Sequence, residues 1–169
     1  MNHPMYVTSV PVFKQMLNSL QAILNKAEAH ANTKNIGAHV FLQASLFPDM
    51  FPLLRQVQIA ADFAKGVCAR LADVPVPEYE DTETSFADLR ARLTKTLEFI
   101  NDLSPAQFER SETREIVLRP GTPKERKMLG QAYLVSYGLP QFFFHVTTAY
   151  AILRHHGVEL GKRDFMGEY

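Results

Sequence analysis

Residues 128–153 contain no Asp, Glu, Lys or Arg. An uncharged stretch of that length is either a membrane span or the innermost helix of a packed core. It is broken by Gly130, Gly138 and Pro140 and carries Gln131, Ser136, Gln141, His145, Thr147 and Thr148. No run of about 20 apolar residues passes through it, so the membrane reading fails. The stretch reads instead as the most buried helix, opened at Pro140 and closed after His156 by Gly157 in a left-handed cap, together with its lead-in. A helix that is apolar nearly all round needs other helices to cover it.

The rest of the chain supplies them. Val10, Phe13, Leu17, Leu20, Leu24, Ala27 and Ala31 recur three and four residues apart, which predicts a long amphipathic helix starting near residue 9 with Thr8 or Ser9 as cap and ending within 32–37. A second helix is expected from Pro48 and Asp49, with Pro52 in its first turn and Leu53, Val57, Ala60, Ala64, Val67 and Leu71 turned inward. The segment DVPVPEYEDTET, residues 73–84, has no helical stripe and reads as a solvated connection. Ser85 and Asp88 resemble a capping box ahead of a third helix with Phe86, Leu89, Leu93, Leu97, Ile100 and Leu103 as its stripe. Residues 115–119 and 124–129 flank turn chemistry and predict a small hairpin. The fold class is therefore all-α, a four-helix bundle with a small β-hairpin before the last helix. The long connections leave room for crossovers.

Length and charge bound the function. A chain of 169 residues forms one domain, 1–169. Eighteen basic residues against eighteen acidic ones give a formal net charge of +0; no global field exists to hold nucleic acid or anionic lipid, so neither is an expected partner. The single cysteine, Cys68, cannot close an internal disulfide, and the opening residues lack a basic segment followed by an apolar one; a cytoplasmic location is expected. Phosphate-loop, serine-hydrolase, zincin and Cys-x-x-Cys motifs are absent. Exposed apolar helix faces would serve a homodimer.

Chemistry is concentrated on the last helix, where Gln141, His145 and Thr148 share one face of an apolar rod and must meet polar groups, water or a ligand. Gln56 on the second helix is the natural counterpart, with Asp62 expected roughly beside it. A hydrogen-bonded core network is the plainer reading of such a set, since zinc sites use three or more His, Cys, Asp or Glu ligands. His155 and His156 suit a helix C-terminus better than a chelate. Cys68 reads as a small core residue, and Arg119, Lys124, Arg126 and Lys127 as a charged hairpin edge with weak anion affinity.

The segments LFPDMFPLLRQVQIAADFAKG (46–66), SFADLRARLTKTLEFI (85–100) and LPQFFFHVTTAYAILRHHGVELGKRDFMG (139–167) resemble an uncharacterised domain-of-unknown-function family within the DinB-like, or YfiT-like, metalloenzyme superfamily. The resemblance implies the bundle fold. It also implies a divalent-metal site of three histidines, one from the second helix and two, four residues apart, from the last. Position by position, His145 matches one of that pair, Gln141 stands four residues before it, and Gln56 stands about where the other helix would offer its histidine. Arg154 and Asp164, in the C-terminal segment, are expected to pair and fix the tail. The favoured expectation is a bundle with a degenerate metal site that binds a small molecule or a partner in a cleft around Gln56, Asp62, Gln141, His145 and Tyr150. The alternative is a metal-dependent thiol transferase, with zinc or nickel held by His145, Asp62 and His39 or Asp49.

Overall fold

The computed structural model describes residues 3–169. Four long helices carry the fold: α2 (Val10–Thr33), α4 (Leu53–Ala72), α5 (Phe86–Asn101) and α7 (Leu139–His155). Shorter ones are α1 (Pro4–Val7), α3 (Ala38–Leu42), α6 (Gly130–Ala132) and α8 (Lys162–Met166). The most extensive contact is between α4 and α7; α5 packs on both α2 and α4, and α2 has only a slight contact with α4. The first two long helices therefore stand diagonally, which makes the connection through α3 a crossover. The stripes expected of the first three long helices converge: Phe13, Leu17, Leu20, Leu53, Val57, Val67, Leu71, Phe86 and Leu93 are all fully buried. Phe142 from α7 meets Phe13 edge to face at 4.8 Å, an arrangement worth about 1 kcal/mol beyond its buried area.

Helix ends follow local chemistry, with two corrections. Ser85 Oγ accepts the Asp88 amide at 3.1 Å while the Asp88 carboxylate accepts the Thr84 amide at 2.9 Å, a reciprocal cap that starts α5. Ser9, by contrast, stands at the N-cap position of α2 without a side-chain cap bond. Its hydroxyl donates to the Met5 carbonyl at 2.5 Å, closing α1, which is too short to leave a periodic signal. At α4 the expected start near Pro48 is too early: Pro52 is itself the N-cap, extended at ψ 166°, and Leu53 opens the helix. The helix stops at Asp73, which takes the left-handed conformation at φ 59°.

Beyond α5, a 3-10 turn over Pro105–Phe108 leads into β1 (Glu115–Leu118), which pairs antiparallel with β2 (Arg126–Leu129). Gly130 follows at once, and its lack of a side chain is required: a Cβ there would lie 1.8 Å from the Ser111 carbonyl oxygen. The lead-in to the last helix is itself helical. A π-helical turn, Tyr133–Gly138, joins α6 to α7. Pro140 would clash with the carbonyl four residues back in a regular α-helix. The wider turn directly before it accommodates the ring, so the chain stays helical across a proline that sequence reading treats as an opening.

The tail folds back on α2. Ser19 Oγ donates to the carbonyls of Asp164 and Phe165, and Gln15 Nε2 to that of Met166. Asp164 pairs with Lys26 at 2.6 Å, in place of the expected Arg154.

Candidate functional site

Gln56, Phe63 and Arg70 lie seven apart on α4 and so occupy nearly one line along it. Tyr133, Tyr137, Gln141 and His145 recur every four residues along the π-turn and α7, giving a second line. The two lines face each other. At one end His145 Nδ1 lies 2.7 Å from Gln56 Oε1. In the middle the Phe63 ring stacks on His145 at 6.0 Å and meets Tyr137 at 5.9 Å. At the other end Arg70 Nη1 donates to the Tyr133 hydroxyl at 3.3 Å, with Tyr133 and Tyr137 stacked at 5.8 Å. The approach of the two elements requires Gly138, where a Cβ would come within 2.6 Å of Val67 Cγ2.

The His145–Gln56 contact fixes a tautomer. Gln56 Nε2 donates to the Phe51 carbonyl at 3.0 Å, and a carbonyl can only accept. The amide oxygen therefore points at His145, and Nδ1 must be the nitrogen that carries the proton. Nε2 is left with a free lone pair. It has no partner among the described residues, yet it is not among their fully buried unpaired atoms, so it retains access to solvent. Burial lowers the imidazole pKa, and the Arg55 charge lowers it further; both favour the neutral ring. Thr148, on the same face, bonds to the Phe144 carbonyl at 2.7 Å.

Of the other expected site residues, Gln141 stands one turn from His145 and borders a polar hollow with Arg119, Lys124 and Arg126. Asp62 lines the cleft with Phe63 and Tyr137, and one oxygen of its carboxylate, Oδ1, is held by Lys65 at 3.0 Å and Arg92 at 2.9 Å. Tyr150 does not join His145. It sits edge-on to Phe165 at 5.7 Å and packs the C-terminal helix. His39 and Asp49 are exposed, and among the described residues no three His, Cys, Asp or Glu side chains converge. One imidazole with two amide neighbours is a poor donor set for zinc or nickel. The residues present therefore do not fit the three-histidine centre that the resemblance implies. Cys68 is fully buried, and burial pushes its thiol far above the usual range, which suits packing and not nucleophilic work. His156 Nδ1 lies 2.8 Å from the Ile152 carbonyl, as a helix-end residue should.

Phe63, Arg70, Tyr133 and Tyr137 were not singled out from the sequence, although their seven- and four-residue spacings are visible in it. Between them and the hairpin lies a cleft of about 160 Å³, which shares the lining residues Leu118, Arg119 and Tyr137 with the hollow beside Gln141.

A crossover four-helix bundle with a hairpin ahead of its last helix, and polar residues of the second and last long helices face to face, is the architecture of DinB-like proteins. The crystal structure of a DinB family member protein from Shewanella denitrificans superimposes with a TM-score of 0.91 at 40% identity, over 97% of this chain and 92% of that one. Residues 5–166 match the family described as a domain of unknown function, DUF1993, and the chain belongs to it. No curated protein matches the chain. Among the described residues no helix is long and apolar enough to cross a membrane.

Proposed function

We propose that this protein binds a small organic molecule in the groove between α4 and the last helix, without a metal ion. The observation that carries the reading is the Phe51–Gln56–His145 chain of hydrogen bonds. It fixes the tautomer with Nε2 bare beside the aromatic wall of Phe63 and Tyr137, while burial and the Arg55 charge favour the neutral ring. Such a nitrogen accepts a hydrogen bond, or a proton, from a ligand N–H or O–H, and the rings supply apolar surface for a flat body. In this reading the amides stand where related bundles would offer imidazoles, and the metal site is degenerate. The donor set gives no support to the thiol-transferase alternative, so no metal-dependent step is assigned to these residues.

The test is elemental analysis of protein purified without a histidine tag, followed by zinc and nickel titration of wild type and His145→Ala. Substoichiometric metal and no saturable difference between the two are expected. One equivalent of metal that disappears with the imidazole would overturn the reading.

A further inference from the structure

Three cations gather at one end of the groove. Arg119, Lys124 and Arg126 border the hollow that also holds Tyr137 and Gln141, and the hairpin register brings Arg126 opposite Leu118, next to Arg119. None of the three makes an ion pair among the described residues. Of the nearby carboxylates, Glu125 accepts the Gly121 amide at 2.7 Å, Glu115 faces Lys127 at 3.8 Å, and Asp62, which lines the adjoining cleft, is held through Oδ1 by Lys65 and Arg92. Unpaired cations around a concave polar surface form an anion site, and two arginines with a lysine suit a doubly charged oxyanion. This hollow shares Leu118, Arg119 and Tyr137 with the aromatic cleft of Phe63 and Tyr133. An anion held there would be joined directly to an aromatic slot.

We infer that the groove takes a small organic phosphate, with the phosphoryl group under the hairpin at Arg119, Lys124 and Arg126 and a flat body against Phe63 and Tyr137. This inference rests on the groove reading above and adds the ligand's chemical class. A net charge of +0 confines the attraction to the site itself and disfavours a phosphate polymer as the partner.

Phenyl phosphate, inorganic phosphate and phenol are the probes, titrated into the full chain by calorimetry and followed at the His145 and Tyr137 resonances by NMR. Phenyl phosphate should bind at least tenfold more tightly than either fragment. Arg119→Asn, which keeps a residue at ease with φ 50°, and Arg126→Gln should each weaken it severalfold, and Arg126→Gln, which borders only the polar hollow, should leave the response to phenol unchanged. Both positions are exposed, so the fold should persist, as circular dichroism would verify. Equal affinity for inorganic phosphate and phenyl phosphate would overturn the inference. So would binding that ignores both arginine variants. If phenol alone shifts the His145 and Tyr137 signals and the phosphate adds nothing, the inference fails and the groove reading stands; silence from all three probes at those resonances counts against both.

Discussion

The Arg92 guanidinium lies 2.9 Å from Asp62 Oδ1, and this pairing ties a carboxylate that lines the groove to α5. Arg92 is almost wholly enclosed, its side chain only 2% exposed. It also reaches Asp81 at 3.0 Å, Glu83 at 2.9 Å and the Glu80 carbonyl at 3.1 Å. The acidic connection between α4 and α5 is thereby clamped onto the bundle by one buried cation. Arg92→Met would leave Glu83, itself only 9% exposed, without its main partner, and a broken buried pair typically costs about 3 to 5 kcal/mol. Asp62→Asn keeps the other three contacts and alters a carboxylate 38% exposed, so about 1 kcal/mol or less is expected. Denaturant midpoints check the order of the two variants, and limited proteolysis within residues 73–84 should accelerate only in Arg92→Met. Equal sensitivity of the two would remove the clamp.

The imidazole at position 145 gives a pH signature. Its native pKa is lowered from the ordinary value of 6.5 by burial and then by the Arg55 charge. As pH falls through that ordinary value, the unfolded chain takes up a proton that the native ring still refuses. Stability contributed by the neutral ring is thus complete above 6.5 and declines below it until the native ring also protonates. His145→Gln should flatten the acid side of the stability curve in that window. Nitrogen NMR of the ring should show a protonated Nδ1 and a bare Nε2 at neutral pH. Gln56→Glu should raise the His145 pKa, because a carboxylate 3 Å or so from Nδ1 favours the imidazolium. A ring found protonated at Nε2 would refute the tautomer assignment.

How far the sequence reveals this site depends on which relation is asked of it. Periodicity locates Gln56 and His145 on inward faces because burial imposes that period, and their contact follows from the packing of two neighbouring helices. Asp62 lines the cleft but does not stand beside Gln56, for a geometric reason. Six residues along an α-helix turn a side chain by roughly 120° from its starting direction, not back beside it, which carries Asp62 toward α5 and Arg92. Tyr150, five residues past His145, is displaced in the same way toward Phe165. The pairing of Asp164 with Lys26 was illegible because it depends on how the tail docks. The π-turn before Pro140 leaves no trace beyond the proline itself. The solvated-edge reading of the hairpin cations correctly placed them at the surface. It had no means of seeing the hollow beneath them.

If amides have replaced imidazoles in an otherwise intact frame, restoring the rings should restore metal affinity. Gln56 touches His145, and Gln141 lies one turn before it. Gln56→His with Gln141→His would place three imidazoles on the facing lines of α4 and α7, the minimum for a zinc centre with an open position. Calorimetry should find one zinc site per chain in the double variant, no comparable site in wild type, and an intermediate or absent response in each single variant. Loss of that site on adding His145→Ala would tie it to the groove. A double variant that folds and binds no zinc would show that the helices have drifted from a metal-holding separation.

The close approach of the π-turn to α4 can be tested by steric compensation. Gly138→Ala puts a methyl group 2.6 Å from Val67 Cγ2, well inside contact distance. Val67 is fully buried and cannot swing into solvent. The backbones must separate or the valine must leave its rotamer, and overpacking of this kind costs about 1 to 3 kcal/mol. Val67→Ala alone should also destabilise, by removing buried methyl groups. Combined, the two changes exchange one crowded contact for a near-neutral one, so the double variant should be markedly more stable than the sum of the single losses predicts. The groove supplies a second readout, because Val67 and Tyr137 line the same cleft. Gly138→Ala should shift the Tyr137 and His145 resonances, and Val67→Ala should return them toward wild type. Strictly additive stabilities would mean that the two elements do not meet at this point, and the groove geometry built on their contact would have to be abandoned.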